Sequence, residues 1–109
     1  MIDDTTLGGY QVVHQRPPAF GGADGQAYSV AAWVDEGPDA TGRYGAALLF
    51  VRWSGGDKPV GHVETDYLAF GPTPESALAP VLALTLREVK EHLDRCVEMG
   101  RGKGEGGRV

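Results

Sequence analysis

Residues 45–53 constrain the fold more than any other part of the chain, because their sequence, GAALLFVRW, is apolar on both faces of the strand that it predicts. Successive side chains of a strand point to opposite faces. One face would carry Ala46, Leu48 and Phe50, and the other would carry Ala47, Leu49, Val51 and Trp53. A strand of this kind is typically central in its sheet or covered on both sides. The rest of the chain must therefore supply neighbouring strands and a cover.

Three further stretches predict strands, and the loops between them predict how the strands are joined. The loops at residues 36–42 and 54–59 are polar and contain Gly and Pro, which is typical of turns. Connections this short join neighbouring antiparallel strands. The sequence therefore predicts an antiparallel β-meander of three or four strands. The three additional strands are expected at residues 10–14, 26–35 and 60–70.

A long amphipathic helix is predicted over about residues 74–99. Thr73 suits the N-cap, Pro74 suits the first helical turn, and Glu75 is favourable near the positive end of the helix dipole. Pro80 predicts a kink or a break, because it has no N–H and crowds the carbonyl group four residues earlier. The apolar stripe of this helix recurs at spacings of three and four: Leu78, Leu82, Thr85, Val89, Leu93 and Cys96.

The predicted fold class is therefore α+β: a three- or four-stranded antiparallel β-meander followed by one long C-terminal amphipathic α-helix packed on one face of the sheet. Residues 1–99 are expected to form a single domain. Residues 100–109 contain five glycines, three basic residues and one acid, which predicts a disordered Gly-rich tail.

A homodimer is predicted for two reasons. A straight helix over residues 74–99 would be about 39 Å long, whereas a nine-residue strand spans about 30 Å. The helix would therefore overhang its sheet unless it breaks at Pro80 or meets a second copy. One helix also covers only one face of residues 45–53, and a partner would bury the other face.

Composition and charge exclude several classes of partner. Fifteen acidic residues against ten basic ones give a net charge of −5, which argues against nucleic acid. The chain has no apolar run of about 18 residues that would cross a membrane. The opening MIDDTTLGGY has acids where a secretory signal needs basic residues, so a cytoplasmic location is expected. The single cysteine, Cys96, forms no internal disulfide, and no cofactor is expected.

His62, Glu64 and Asp66 are the first candidate site residues, because their spacing places all three on one face of a strand. A histidine with two carboxylates suits a divalent metal or acid–base chemistry. However, same-face neighbours lie about 6–7 Å apart, and alternating polar residues are also what a solvated strand face needs. Neither a metal site nor a catalytic residue is therefore assigned.

The loop at residues 16–25 is the second candidate, because long loops with little structural reason often bind something. Arg16 and Phe20 would be its anchor residues. Trp33 and Trp53 come near the ends of adjacent strands, where they would be core residues or, if exposed, part of a ligand or partner surface.

Residues 69–78, AFGPTPESAL, resemble the G-x-T-x-E-x-A-L junction of HicB-like antitoxin domains. The resemblance implies a strand meander that runs into a capped helix, and it implies neither a function nor a site residue. For function the sequence leaves three alternatives. The first is a non-enzymatic homodimeric interaction or regulatory module that contacts a protein partner. The second is a small-molecule-binding protein that uses the 16–25 loop and the sheet aromatics. The third is a small enzyme with an acid–base site on the strand at residues 60–70.

Overall fold

The computed structural model describes residues 5–54 and 58–102, without the side chains of residues 100–102, and divides them into three helices and five strands. The α+β class and the antiparallel sheet are confirmed. None of the described helices is both long enough and apolar enough to cross a membrane. The elements are α1 (Leu7–His14), β1 (Ala19–Gly21), β2 (Ala27–Val34), β3 (Tyr44–Trp53), β4 (Pro59–Glu64), β5 (Ala69–Gly71), α2 (Pro74–Leu82) and α3 (Leu86–Gly102).

Strand β3 is the centre of the sheet, as its two apolar faces predict. The strand order is β1-β2-β3-β4, and β5 pairs with β3 beyond the end of β4. β2 pairs with β3 over its whole length, from Ala27 opposite Trp53 to Val34 opposite Ala46. On its other side β3 is shared by β4 and β5, which are both antiparallel to it. The single strand predicted at residues 60–70 is therefore two strands, with a short departure from the sheet between them.

The two faces of the sheet have different surroundings. The inner face joins the helices in one apolar core, whose fully buried members are Leu7, Tyr28, Val30, Ala46, Leu48, Phe50, Ala77, Val81, Val89, Leu93 and Val97. The register of the strands places a second set of side chains on the opposite side of the sheet. This set defines the outer face: Ala31, Trp33, Ala47, Leu49, Val51, Trp53, His62, Glu64 and Phe70.

The strand predicted at residues 10–14 is wrong, because these residues belong to α1. Thr6 is the N-cap of this helix, and its side chain accepts a hydrogen bond from the backbone N–H of Gly9 at 3.0 Å. Leu7 is fully buried in the core. Gly8 lies so close to α2 that a Cβ atom there would be 3.2 Å from the Cβ of Leu82. The two glycines weaken the helix signal, but one of them allows the helix to pack.

The single long helix predicted over residues 74–99 is also wrong, because α2 ends at Leu82 and α3 begins at Leu86. A capping box at Thr85 starts the second helix. The Thr85 Oγ1 accepts from the N–H of Glu88, and the Glu88 Oε1 accepts from the N–H of Thr85 at 2.9 Å. Pro80 lies within α2, so the break comes after it rather than at it. The helix overhang that motivated the prediction of a homodimer therefore does not arise.

The junction between α2 and α3 is joined to the start of the described chain. Thr6 forms a β-bridge with Thr85. The N–H of Leu7 donates to the carbonyl of Leu84 at 2.8 Å, and the N–H of Leu86 donates to the carbonyl of Thr5 at 2.9 Å. At the other end α3 runs to Gly102, and residues 103–109 of the predicted tail lie outside the described residues.

Candidate functional site

The outer face of the sheet carries apolar side chains that remain partly exposed. Trp33 of β2 lines a depression of about 520 Å³ together with Leu49 and Val51 of β3. His62 and Glu64 of β4 form the polar side of this depression. Contiguous apolar surface that stays exposed marks interaction or ligand sites in soluble proteins.

An aromatic site adjoins this depression, and we define it as Trp33, Tyr67 and Phe70. The three rings line a second depression of about 490 Å³, together with Glu64, Thr65 and Asp66. The centroids of Trp33 and Tyr67 are 6.0 Å apart with planes inclined by 55°, and those of Tyr67 and Phe70 are 5.2 Å apart with planes inclined by 54°. Tyr67 is 47% exposed and Phe70 is 43% exposed. Mutually inclined rings give the depression a concave aromatic wall.

Asp35 fixes the position of Tyr67. The Tyr67 hydroxyl donates a hydrogen bond to Oδ1 of Asp35 at 2.8 Å, and Oδ2 of Asp35 accepts from the N–H of Gly45 at 3.1 Å. The hydrogen bond to Asp35 is the main reason that the pKa of Tyr67 is raised. The ring also lies against Gly45, where a Cβ atom would come within 2.5 Å of Cδ1 of Tyr67. The Tyr67 ring can therefore pack here only because Gly45 has no side chain.

The ring of Phe70 contacts a positively charged side chain of the same chain, that of Arg43. The guanidinium carbon of Arg43 lies 4.5 Å from the centre of the Phe70 ring, well within the range of a cation–π interaction. The Nε of Arg43 donates to Oγ1 of Thr41 at 3.1 Å, and Asp39 lies 3.9 Å from the same guanidinium group. Arg43 is thus held at the edge of the aromatic site.

The two tryptophans of the outer face differ in how their indole nitrogens are satisfied. Nε1 of Trp53 donates to Oγ of Ser29 at 3.0 Å. Nε1 of Trp33 is buried and has no hydrogen-bond partner within the part of the chain that the structure describes. An unsatisfied buried donor costs about 1–3 kcal/mol. The apolar contacts of the Trp33 ring must therefore offset the cost of this donor.

The first group of predicted site residues lies beside this surface. His62, Glu64 and Asp66 are all exposed. Glu64 and Asp66 line the aromatic site, and His62 lines the adjoining depression. Within residues 5–54 and 58–102, no group of three or more His, Cys, Asp or Glu side chains is placed to hold a metal ion. An acid–base role for these residues stays a prediction.

The second group of predicted site residues lies elsewhere. Arg16 is exposed, and its guanidinium carbon is 5.9 Å from the centre of the Tyr10 ring. Phe20 belongs to β1 and packs against the core cluster. Neither residue lines the depressions beside Trp33. The structure does not unite the 16–25 loop and the sheet aromatics in one site.

A further cleft of about 450 Å³ separates β4 from the C-terminal half of α3. Cys96 lines it, and burial raises the pKa of this thiol, which therefore stays protonated at neutral pH. His92 and Arg95 also line it, with Nη2 of Arg95 lying 3.3 Å from Nδ1 of His92. Burial, followed by the charge of Arg95, lowers the pKa of His92. A protonated thiol and a histidine turned to an arginine do not form an activated nucleophile.

The aromatic site could not be assembled from sequence reasoning. Strict alternation along residues 60–70 puts Tyr67 on the same face as Val63, which is an inner-face residue. In the structure the chain leaves the sheet between β4 and β5, and Tyr67 joins Phe70 and Trp33 instead. Comparison with protein-family models, with curated proteins and with solved structures gives no match for this chain.

Proposed function

We propose that this protein is a non-enzymatic binding module that recognises a small ligand at the aromatic site on the outer face of its sheet. The observation that carries the proposal is the position of Trp33, which lines two adjoining depressions on a partly exposed apolar surface. Ligand sites are typically concave, lined by aromatic and apolar side chains, and oriented by a few polar groups. Glu64, Thr65 and Asp66 supply those polar groups here.

Fluorine NMR of protein that contains fluorotryptophan tests this function directly, because the chain has only two tryptophans. Comparison with a Trp53→Phe variant assigns the two signals. The protein is titrated with a set of small neutral aromatic, anionic and cationic compounds. At least one of these is expected to shift the Trp33 signal saturably, and to do so more weakly in a Tyr67→Leu variant. If no compound in the set shifts the Trp33 signal saturably, the proposed function is wrong.

A homodimeric interaction module is the second candidate, because Leu49 and Val51 leave an apolar stretch along the middle of the outer face partly exposed. A second copy stacked on this face would cover it. Three strands spaced about 4.8 Å apart and eight residues long present roughly 400 Å² in projection. Each partner of a standard interface buries about 800 Å². The available area therefore favours a weak dimer, and for this reason ligand binding is placed first.

Light scattering at micromolar concentration tests the dimer. Val51→Lys places a charge in the middle of the outer face, and Val13→Lys is the matched control on α1, where Val13 is 74% exposed. A dimer that the first substitution abolishes and the second preserves would support the candidate, and a monomeric wild-type protein would remove it. A regulatory role, a cytoplasmic location and the enzymatic alternative all stay predictions.

A further inference from the structure

Ring faces are the principal chemistry that the aromatic site presents to a ligand. The faces of Trp, Tyr and Phe rings carry partial negative charge, and they attract cations within about 6 Å of the ring centroid. Trp33, Tyr67 and Phe70 supply three such rings around one depression of about 490 Å³. The guanidinium group of Arg43 already lies over the Phe70 ring, so Trp33 and Tyr67 provide the ring surface on which a ligand cation would mainly rest.

The charged side chains of the site favour the same kind of ligand. Glu64 and Asp66 line the depression, and Asp35 lies behind the Tyr67 hydroxyl. Neither Lys nor Arg is among the lining residues. Arg43 lies at the edge of the site against Phe70, where Asp39 partly offsets its charge, and the whole chain carries a net charge of −5. An anionic ligand would approach two carboxylates, which like-charge repulsion opposes.

The ring faces of the site narrow the class of cation. The carboxylates of Glu64 and Asp66 can accept from a primary ammonium group, but the three ring faces provide no directional acceptor and suit a head group that has no N–H donors. A trimethylammonium group has no N–H donor, and its methyl groups can lie against the rings while its diffuse charge faces the carboxylates. Aromatic enclosures of this kind recognise quaternary ammonium groups.

We infer that the aromatic site binds an organic cation with an alkylated ammonium head group, and this inference rests on the proposed function because it names the ligand class of the same site. Such head groups occur on free small molecules and on trimethylated lysine in peptides. Glu64 and Asp66 provide charge complementarity, and Trp33, Tyr67 and Phe70 line the depression in which the head group lies.

Titration of the fluorotryptophan-containing protein with choline tests the inference. Choline is compared with its neutral carbon isostere, in which a tert-butyl group replaces the trimethylammonium head. Choline is expected to shift the Trp33 signal saturably, and the isostere is expected to bind about tenfold more weakly. A Glu64→Gln/Asp66→Asn double variant, which alters only exposed side chains, should weaken choline binding while the unfolding midpoint stays unchanged. Trp53→Phe is the matched control and should leave the affinity for choline unaltered.

The outcomes separate a failure of this inference from a failure of the proposed function. If the isostere binds as tightly as choline, or if only other compounds of the set shift the Trp33 signal, the cationic ligand class is wrong and the binding function stands. If no compound shifts that signal, both are wrong. A peptide with trimethyl-lysine, compared with the unmodified peptide, then identifies the source of the head group. Tighter binding than choline points to a protein side chain, and weaker binding points to a free small molecule.

Discussion

Replacement of Gly45 by alanine should displace Tyr67 and open the aromatic site. The added Cβ atom would lie 2.5 Å from Cδ1 and 2.6 Å from Cε1 of Tyr67, which is far closer than real contacts allow. Gly45 is not among the residues with positive φ, so alanine adopts its backbone conformation without strain. Because Tyr67 is 47% exposed, movement of its ring is the easiest way to remove the collision.

The expected cost follows from the contacts that Tyr67 loses when it moves. Its contacts with Trp33 and Phe70 are each worth about 0.5–1.5 kcal/mol, and its hydrogen bond to Asp35 is worth about 0.5–1.5 kcal/mol. Values near the lower ends apply, because the ring and its hydroxyl are half-exposed. Replacing glycine in a strand returns about 0.5–1 kcal/mol. The net effect should be a loss of about 0.5–1 kcal/mol in the free energy of unfolding.

Urea unfolding of the single and double variants measures this effect. In a Tyr67→Ala background the collision is absent, so Gly45→Ala should stabilise the protein by about 0.5–1 kcal/mol instead of destabilising it. Gly21→Ala is the matched control, because a Cβ atom there would meet nothing within 4 Å, and it should be neutral or slightly stabilising. An equal loss from Gly45→Ala in both backgrounds would refute the argument, since the collision with Tyr67 would then not be its cause.

Four further predictions concern other residues. Trp53→Phe should lower the free energy of unfolding by about 1 kcal/mol through the loss of its hydrogen bond. Trp33→Phe should cost less, because it removes an unsatisfied donor, and an equal or larger cost on chemical denaturation would contradict this. Thr85→Ala removes the N-cap of α3 and should cost about 1 kcal/mol, and an unchanged thermal midpoint would show that the cap is not needed. Burial, together with the hydrogen bond to Asp24, raises the pKa of Tyr28 to about 12 from its ordinary value of 10.0. The neutral hydroxyl therefore contributes stability that is complete below pH 10.0 and is lost as the pH rises through about 12. Between pH 10.0 and about pH 12 the free energy of unfolding should therefore fall less in the Tyr28→Phe variant than in the wild-type protein. Identical pH profiles of the two proteins would contradict this prediction.

The long strands could be predicted from the sequence because their alternation has few other interpretations. The expected ranges 26–35 and 45–53 agree to within one residue with β2 and β3. The range 60–70 was less informative, since it covers β4, β5 and the departure between them. Two backbone hydrogen bonds to β3, at Thr65 and Leu68, hold that departure in place. Pairing with β3, which is distant in the sequence, determines where the chain leaves the sheet. The local sequence pattern therefore does not indicate this departure.

For the helices, the sequence contains correct local signals, the N-cap residues, but stronger features of the sequence favour a different structure. Thr6 is a good N-cap, yet two glycines follow at positions where they disfavour a helix. Contact with α2 stabilises the helix despite them. The apolar stripe runs without interruption through Thr85, although that residue begins a new helix with its own capping box. Apolar periodicity reports only how residues are spaced along the chain. A turn between two helices can keep the same spacing, so the periodicity does not reveal the break.

The bridge between Thr6 and Thr85 has a consequence for how the chain is made. The two partners are 79 positions apart in the sequence (85 − 6), and α1, all five strands and α2 lie between them. At roughly 5–20 residues per second, synthesis leaves the N-terminal segment without its partner for several seconds. A helix of eight residues is too short to be stable alone in water. During that interval Leu7, which ends fully buried, is exposed to chaperones and proteases on the ribosome. Residues 5–7 thus reach their final backbone partners only after residues 84–86 have been synthesised.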